Sequence, residues 1–155
     1  MSFIECPTSI PFVGFIPVGV QVGTRIIIKG QVPKNSKQFD INLVCLTFGH
    51  QASLRVCEKA DIALHLNPRF NSDLIVLNSR EKMTWDDELR LNSIDKTKWH
   101  QFELLIAVTP EYFSIDLNGF HFTTFAHRLP FKDIGLMWIS GSVTIDSIKY
   151  IDSDS

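Results

Sequence analysis

The chain lacks any excess of positive charge. Its 155 residues include 15 Lys and Arg against 17 Asp and Glu, which gives a formal net charge of -2. Binding to nucleic acid depends largely on basic side chains that neutralise phosphates, and the charge balance offers no such field. We therefore expect no nucleic-acid partner.

Cysteine is also scarce. Cys6, Cys45 and Cys57 are odd in number, so they cannot all pair within one chain, and their spacing is not that of a disulfide framework. None has a base nearby in sequence that would activate a thiolate. We expect free thiols that serve packing, in a reducing compartment.

Histidine is present without the spacing of a metal site. His100, His121 and His127 are accompanied neither by a cluster of Cys and His ligands nor by a His-x-x-x-His helix. The sequence therefore predicts no metal and no cofactor.

Targeting signals are missing from the sequence as given. The apolar N-terminal stretch has no basic segment ahead of it, and Pro7, Pro11 and Pro17 would interrupt a helical signal-peptide core. There is no run long enough for a membrane helix and no Asn-x-Ser/Thr sequon. We expect synthesis in the cytosol and no membrane insertion.

What the chain does contain is a series of short alternating segments separated by turn residues. Asp40 and Asn42 alternate with apolar neighbours, and Asn118-Gly119 is a strong hairpin signal between two such segments. No helical period is sustained, and neither a repeat nor a low-complexity linker divides the chain. The pattern predicts an all-β, antiparallel two-sheet sandwich in a single domain over residues 10–151.

The most informative stretch runs from His65 to Arg90. Side chains alternate between the two faces of a strand, so His65, Asn67 and Arg69 share a polar face opposite Leu64 and Leu66. Neighbouring strands can add four more side chains to this face, namely Asn78, Trp85, Glu88 and Arg90. The sequence thus predicts a polar sheet surface beside one exposed indole.

This spacing resembles the carbohydrate-recognition domain of the galectins. The pattern His-x-Asn-Pro-Arg, then Val-x-Asn, then Trp-x-x-Glu-x-Arg is met at every position, by His65, Asn67, Pro68, Arg69, Val76, Asn78, Trp85, Glu88 and Arg90. The similarity extends from Pro11-Phe12 through His127-Arg128-Leu129-Pro130 to the final segment at 143–148. It implies a jelly-roll sandwich with the polar face of the His65 strand on its concave side.

The resemblance further implies a lectin for β-galactosides. Trp85 is then expected to stack on the C–H face of galactose, while His65, Asn67 and Arg69 converge on its axial 4-hydroxyl. By the same resemblance Asn78 and Glu88 take the 6-hydroxyl, and Glu88 and Arg90 reach the next sugar. The alternative is a galectin-like fold that binds sugar weakly or not at all and acts as a protein-interaction module.

Partners and location follow from the same resemblance. Galectins bind glycans and glycoproteins, and crosslinking by one such domain requires a homodimer or a tandem second domain. Many galectins are made in the cytosol and leave the cell without a signal peptide, so export remains an open route beside a cytoplasmic location.

An enzymatic interpretation would pair Glu88 with Asp86 or Asp87 as a glycosidase carboxylate pair. A general acid must hold a proton near neutral pH, whereas Arg69 and Arg90 on either side of Glu88 favour the ionised form. We therefore expect no enzymatic activity.

One segment departs from the galectin pattern. The connection Cys45–Ala60 is about ten residues longer than usual, and its apolar residues predict an extended hairpin or a strand extension. In galectins this connection borders the non-reducing end of the groove. His50 and Arg55 are therefore candidates for an extended site, the alternative being a solvated elaboration without ligand contact.

Overall fold

The computed structural model describes residues 1–46 and 51–154. Its strands, in chain order, are β1 Ser2–Glu5, β2 Phe12–Phe15, β3 Arg25–Gln31, β4 Phe39–Cys45, β5 Ile62–Arg69, β6 Leu74–Glu81, β7 Thr84–Trp85, β8 Leu89–Asn92, β9 Gln101–Val108, β10 Tyr112–Leu117, β11 Phe120–Ala126, β12 Ile134–Gly141 and β13 Thr144–Ile151. One α-helix, α1, spans Leu54–Lys59, and 3-10 helices span Lys96–Trp99 and Phe131–Asp133.

These strands form two antiparallel sheets. The six-stranded sheet has the order β1-β13-β3-β9-β10-β11, and the seven-stranded sheet has the order β2-β12-β4-β5-β6-β7, with β8 also paired to β6. The predicted all-β, antiparallel two-sheet sandwich is confirmed. No helix within residues 1–46 and 51–154 is long and apolar enough to cross a membrane.

The core lies between the sheets because apolar residues alternate along the strands. Ile26 and Ile28 on β3 face Ile41 and Leu43 on β4, and all four are fully buried. Their polar neighbours on β4 point to the opposite side of the seven-stranded sheet, which we call the outer face. The alternation thus commits one face to the core and leaves the other available for binding.

The first strand was not predicted from the sequence. Residues 1–10 show no clean alternation, yet β1 pairs with β13 from Ser2 to Glu5. Its side chains are exposed or half-buried. Backbone pairing and the single half-buried side chain of Phe3 hold this edge strand, so its sequence carries no periodic signal.

The prediction of a hairpin or strand extension within Cys45–Ala60 was wrong, because the described part of this segment contains α1. The Ser53 side chain caps the helix by accepting a hydrogen bond from the Val56 backbone N–H at 3.2 Å. Val56 on the helix, together with Ala52 and Ala60 at its two ends, packs against a second apolar cluster that includes the helix residue Cys57. The alternation at Leu54 and Val56 suggests a strand instead.

Helix α1 packs on the outer face of the seven-stranded sheet. Its Cys57 is buried in a second apolar cluster with Val44, Ile62 and Leu136, which lie on β4, β5 and β12. Burial raises the pKa of the Cys57 thiol to about 11. The inserted segment therefore covers one half of the outer face and leaves the other half open.

Candidate functional site

A row of side chains crosses the open half of the outer face. Strand register aligns Trp138 on β12, Asn42 on β4, His65 on β5 and Asn78 on β6. Backbone pairing between neighbouring strands fixes these positions. The polar groups are thus held on rigid strands rather than on loops.

A hydrogen-bond network sets the tautomer of His65. Asn42 donates its amide N–H groups to Oδ2 of Asp40 at 2.8 Å and to the Trp138 carbonyl at 3.1 Å. Both partners only accept, so the amide oxygen of Asn42 faces Nδ1 of His65, 2.6 Å away. Nδ1 therefore carries the proton, and Nε2 of the neutral ring is an acceptor.

The surroundings of His65 keep the ring neutral. Burial lowers its pKa below the ordinary value of 6.5; Asp40 opposes this effect, while Arg69 and Arg80 reinforce it. Glu88 acts in the same direction as Asp40. A neutral imidazole with a fixed Nδ1 proton suits the recognition of a hydroxyl hydrogen by Nε2.

Charged and amide groups form a second line that runs from β5 to the beginning of β8. Asn67 donates to the Phe39 carbonyl at 2.7 Å and accepts from Nε of Arg69 at 2.8 Å. Nη2 of Arg69 lies 3.8 Å from Oε1 of Glu88, whose other oxygen accepts from Nε of Arg90 at 2.8 Å. The chain of contacts orients the guanidinium of Arg69 before any ligand binds.

Asn78 is also oriented by its neighbours. Its amide oxygen accepts from the Ser79 backbone N–H at 2.8 Å and from Nη1 of Arg128 at 3.0 Å, and its Nδ2 donates to the Asp86 carbonyl at 2.8 Å. One N–H of the amide remains for a ligand, while both lone pairs of the oxygen are engaged. Asn78 can thus serve a ligand as a donor.

Trp85 closes this surface as an aromatic wall. The residue is 45% exposed, and its ring centroid lies 4.7 Å from that of His65 at an interplanar angle of 55°. A half-exposed indole beside fixed polar groups is the arrangement that a pyranose requires, because a sugar ring has hydroxyls at its rim and an apolar C–H patch on one face.

The structure gathers the seven side chains predicted for the sugar site. A cavity of about 340 Å³ is lined by His65, Arg69, Val76, Asn78, Trp85, Asp86 and Glu88. Asn67 supports this lining through Arg69, and Arg90 flanks it through Glu88.

Comparison with known proteins decides the family. The family model for galactoside-binding lectins matches residues 11–150, which is most of the chain. The chain belongs to the galectin family. Proteins of this family are lectins rather than enzymes, which confirms the expectation that the chain is not an enzyme.

Individual galectins support this membership. Human galectin-7 is 31% identical over 92% of the chain and 98% of its own length, and pig galectin-4 is 32% identical over 97% of the chain. The chain spans about half the length of the galectin-4 relatives, 46% in the pig protein. A galectin from Caenorhabditis elegans, LEC-6, superposes with a TM-score of 0.78 at 26% identity, covering 96% of both chains. A variant of human galectin-16 gives the same TM-score at 25% identity, covering 95% of the chain and 99% of its own.

The two residues predicted for an extended site remain apart from this geometry. Arg55 lies on the first turn of α1 with an exposed side chain, and it is not among the described residues that line the 340 Å³ cavity. His50 lies outside the described residues. Their role in binding stays a prediction.

Sequence reasoning missed the groups that orient the contact residues. Asp40, Asn42 and Ser140 fix His65, with the Ser140 hydroxyl donating to Oδ1 of Asp40 at 2.6 Å. The signal was present in the alternation of Asp40 and Asn42 on the strand before β5. Ser140 carries no such signal, because only strand pairing brings β12 beside β4.

A larger cavity of about 500 Å³ lies elsewhere, between β8 and the β10–β11 hairpin. Trp99, Phe122 and Ile94 give it apolar walls. Among its polar residues, Asp95 accepts from Thr97, and the Asn118 side chain bonds backbone groups of Glu103 and Lys98. The side chains of Asp95 and Asn118 are thus engaged within the protein rather than directed at a ligand.

Proposed function

We propose that the chain binds β-galactosides on the open half of the outer face. The observation that carries this proposal is the fixed acceptor Nε2 of His65, set among oriented donors and beside the half-exposed indole of Trp85. The family match supports the same ligand class. Lactose and N-acetyllactosamine glycans are the expected ligands.

The axial 4-hydroxyl of galactose is the group that selects this sugar over glucose. In our proposal Nε2 of His65 accepts its hydrogen, and the guanidinium of Arg69, held by Asn67, donates to its oxygen. An epimer without the axial hydroxyl leaves these groups unpaired, at a cost of about 1–3 kcal/mol for each buried group. Trp85 stacks on the opposite, apolar face of the ring.

The remaining contacts extend toward the next sugar. Asn78 has one N–H free and donates to the 6-hydroxyl, while Glu88 accepts from it. Glu88 and Arg90 also reach the second sugar of a disaccharide, since Glu88 directly precedes β8, Arg90 lies on β8, and their ion pair flanks the guanidinium of Arg69. Charge-assisted bonds of this kind contribute about 1.5–3 kcal/mol before desolvation.

Affinity for one site should be weak. About 23 heavy atoms of a disaccharide at about 0.3 kcal/mol each give about 7 kcal/mol, on the order of 10 µM, and solvation of an open groove lowers it further. Crosslinking of glycoproteins then requires more than one site in an assembly, from a homodimer or from a second domain. Size-exclusion chromatography with light scattering separates a monomer from a dimer.

Chromatography on immobilised lactose tests the proposal. The wild-type chain should be retained and should elute with lactose but not with sucrose. Trp85→Ala and Arg69→Ala should each abolish retention, while their thermal unfolding stays cooperative. Phe120→Ala and Arg25→Ala are matched controls, because both residues are exposed on the six-stranded sheet.

Two outcomes would count against the assignment. A wild-type chain that passes through the column unretained would favour a protein-interaction module on the same fold. Normal retention of one variant would remove that residue from the set of sugar contacts.

A further inference from the structure

Arg80 is a buried arginine at the edge of the open half of the outer face. It is 8% exposed, on β6. Its Nη2 donates to the carbonyl oxygens of Cys57 at 2.8 Å and of Ala60 at 2.6 Å. Both carbonyls belong to the C-terminal end of α1, where a helix leaves its carbonyls without intrahelical partners. Arg80 therefore ties the inserted helix to the sheet.

The same guanidinium lies against Trp85. The Cζ atom of Arg80 is 5.5 Å from the centroid of the indole, and the two residues are paired across β6 and β7. The indole contacts the imidazole of His65 as well. A half-exposed ring keeps one orientation only if such neighbours restrict it, and a cation near an aromatic face is attracted to it.

The position of Arg80 is itself strongly restrained. The carbonyls of Cys57 and Ala60 hold its Nη2 atom through hydrogen bonds. Its Nε atom is buried and has no hydrogen-bond partner among residues 1–46 and 51–154, so packing restrains that part of the side chain. Movement of the guanidinium would also leave the carbonyls of Cys57 and Ala60 without this donor. The helix, the guanidinium and the indole therefore form one connected unit.

We propose that Arg80 is a positioning residue for sugar binding, which fixes the indole of Trp85 by anchoring it to helix α1. Through this contact the inserted segment acts on the stacking surface without touching the sugar. The inference rests on the proposed function, because that function gives Trp85 its role as the stacking surface.

The test uses the full chain labelled with 5-fluorotryptophan. Its three tryptophans give three fluorine resonances, and Trp85→Phe assigns the one from Trp85. Arg80→Met removes the donors and the charge at similar length. Without sugar, it should shift or broaden the Trp85 resonance and leave that of Trp99 in place, because Trp99 is buried in the main core.

Lactose titration then measures the consequence for binding. Arg80→Met should weaken the affinity three- to tenfold. Arg80→Lys keeps the cation without the planar guanidinium, so it should fall between Arg80→Met and the wild type. Arg25→Met makes the same chemical change on an exposed arginine of the other sheet and should alter neither measurement.

The results separate this inference from the proposed function. A Trp85 resonance in Arg80→Met that coincides with the wild type would overturn the positioning role, as would an unchanged lactose affinity. A wild-type chain that does not respond to lactose would instead overturn the proposed function and, with it, the role of Arg80 in sugar binding. If Arg80→Met does not fold, Arg80→Lys carries the same comparison.

Discussion

The two halves of the outer face are built from the same strands but differ in polarity along each strand. On β4, Asn42 lies in the open half and Val44 in the half covered by α1; on β12, Ser140 and Leu136 make the same contrast. Burial of apolar area contributes about 25 cal/mol per Å², so the apolar half requires a cover. The polar half keeps its hydrogen-bonding groups for a ligand. A change of polarity within one strand thus decides where the inserted helix packs and where the groove begins.

The largest expected effect comes from weakening the covered half. Leu136 is fully buried beneath α1, and Leu136→Ala should lower the free energy of unfolding by about 2–5 kcal/mol, through lost apolar contact and the cavity left behind. Lactose affinity should change less than twofold at temperatures where the variant is folded. Chemical denaturation and calorimetric titration measure the two quantities.

Arg69→Ala makes the opposite test, in the open half, where the side chain of Arg69 is partly exposed. It should abolish lactose binding and lower the free energy of unfolding by at most about 1–3 kcal/mol, because the amide oxygen of the buried Asn67 loses the donor Nε of Arg69. If Leu136→Ala loses sugar binding while it is still folded, the groove depends on the apolar packing beneath α1 and not only on the contact of Arg80 with the α1 carbonyls.

Much of this comparison is accessible from the sequence. Alternation along β5 separated the polar face of His65 and Asn67 from the core face of Leu64 and Leu66, and the structure has the same division. Apolar/polar alternation predicts the buried face correctly where one side of the strand faces the core and the other faces solvent. It fails where another element covers the outer face as well.

The covered half shows why the remainder was missed. Val44 follows the core residue Leu43, so two adjacent apolar residues face opposite sides of one sheet. Leu43 is buried by the core, whereas Val44 is buried because α1 covers the outer face at that position. Similarly, Arg80 shows no feature in sequence that marks it as buried, because its partners are backbone carbonyls of a distant helix. Such contacts depend on tertiary packing.

The next effect concerns the residue that sets the tautomer of His65. Asn42→Ala removes the acceptor for Nδ1–H, so the ring can exchange its tautomer and present N–H instead of a lone pair to the sugar. We expect about tenfold weaker lactose binding, which corresponds to about 1.4 kcal/mol. Calorimetric titration measures it.

Ser140→Ala provides a graded comparison for this variant. It removes one hydrogen bond to Asp40 and leaves the contact between Asn42 and His65, so its effect should be below threefold. An Asn42→Ala variant with wild-type affinity would show that the network does not control binding.

A smaller effect is expected from pH. Because burial lowers the pKa of folded His65 below its unfolded value of 6.5, the unfolded chain takes up a proton first as the pH falls. This contribution to stability is present above pH 6.5 and is lost between 6.5 and the folded pKa. The neutral ring also predicts that lactose affinity stays constant from pH 8 to 6.5 and declines only at lower pH.

NMR titration of the histidine ring protons, with calorimetry at each pH, measures this window. His121→Gln should leave the profile unchanged, because His121 is exposed on the six-stranded sheet beside Asp116. Affinity that already decreases above pH 6.5 would contradict a lowered pKa for His65.

The smallest expected effect tests whether the covered half contributes charge to the groove. Arg55 is exposed on α1, and an exposed ion pair contributes about 0–1 kcal/mol. Arg55→Ala should therefore weaken binding of 3-sulfated or sialylated galactosides by at most about fivefold. Lactose has no anionic group, so its binding should be unchanged. Oδ2 of Asp40 lies 3.9 Å from Nδ1 of His65, so this carboxylate repels an anionic group bound beside that ring. A glycan array with plain, 3-substituted and sulfated galactosides measures the difference, with Lys59→Ala as the matched control on the last turn of the same helix. If the two variants give identical profiles, Arg55 has no place in the site. The influence of α1 on sugar binding would then pass through its backbone carbonyls and Arg80 rather than through its own charged side chains.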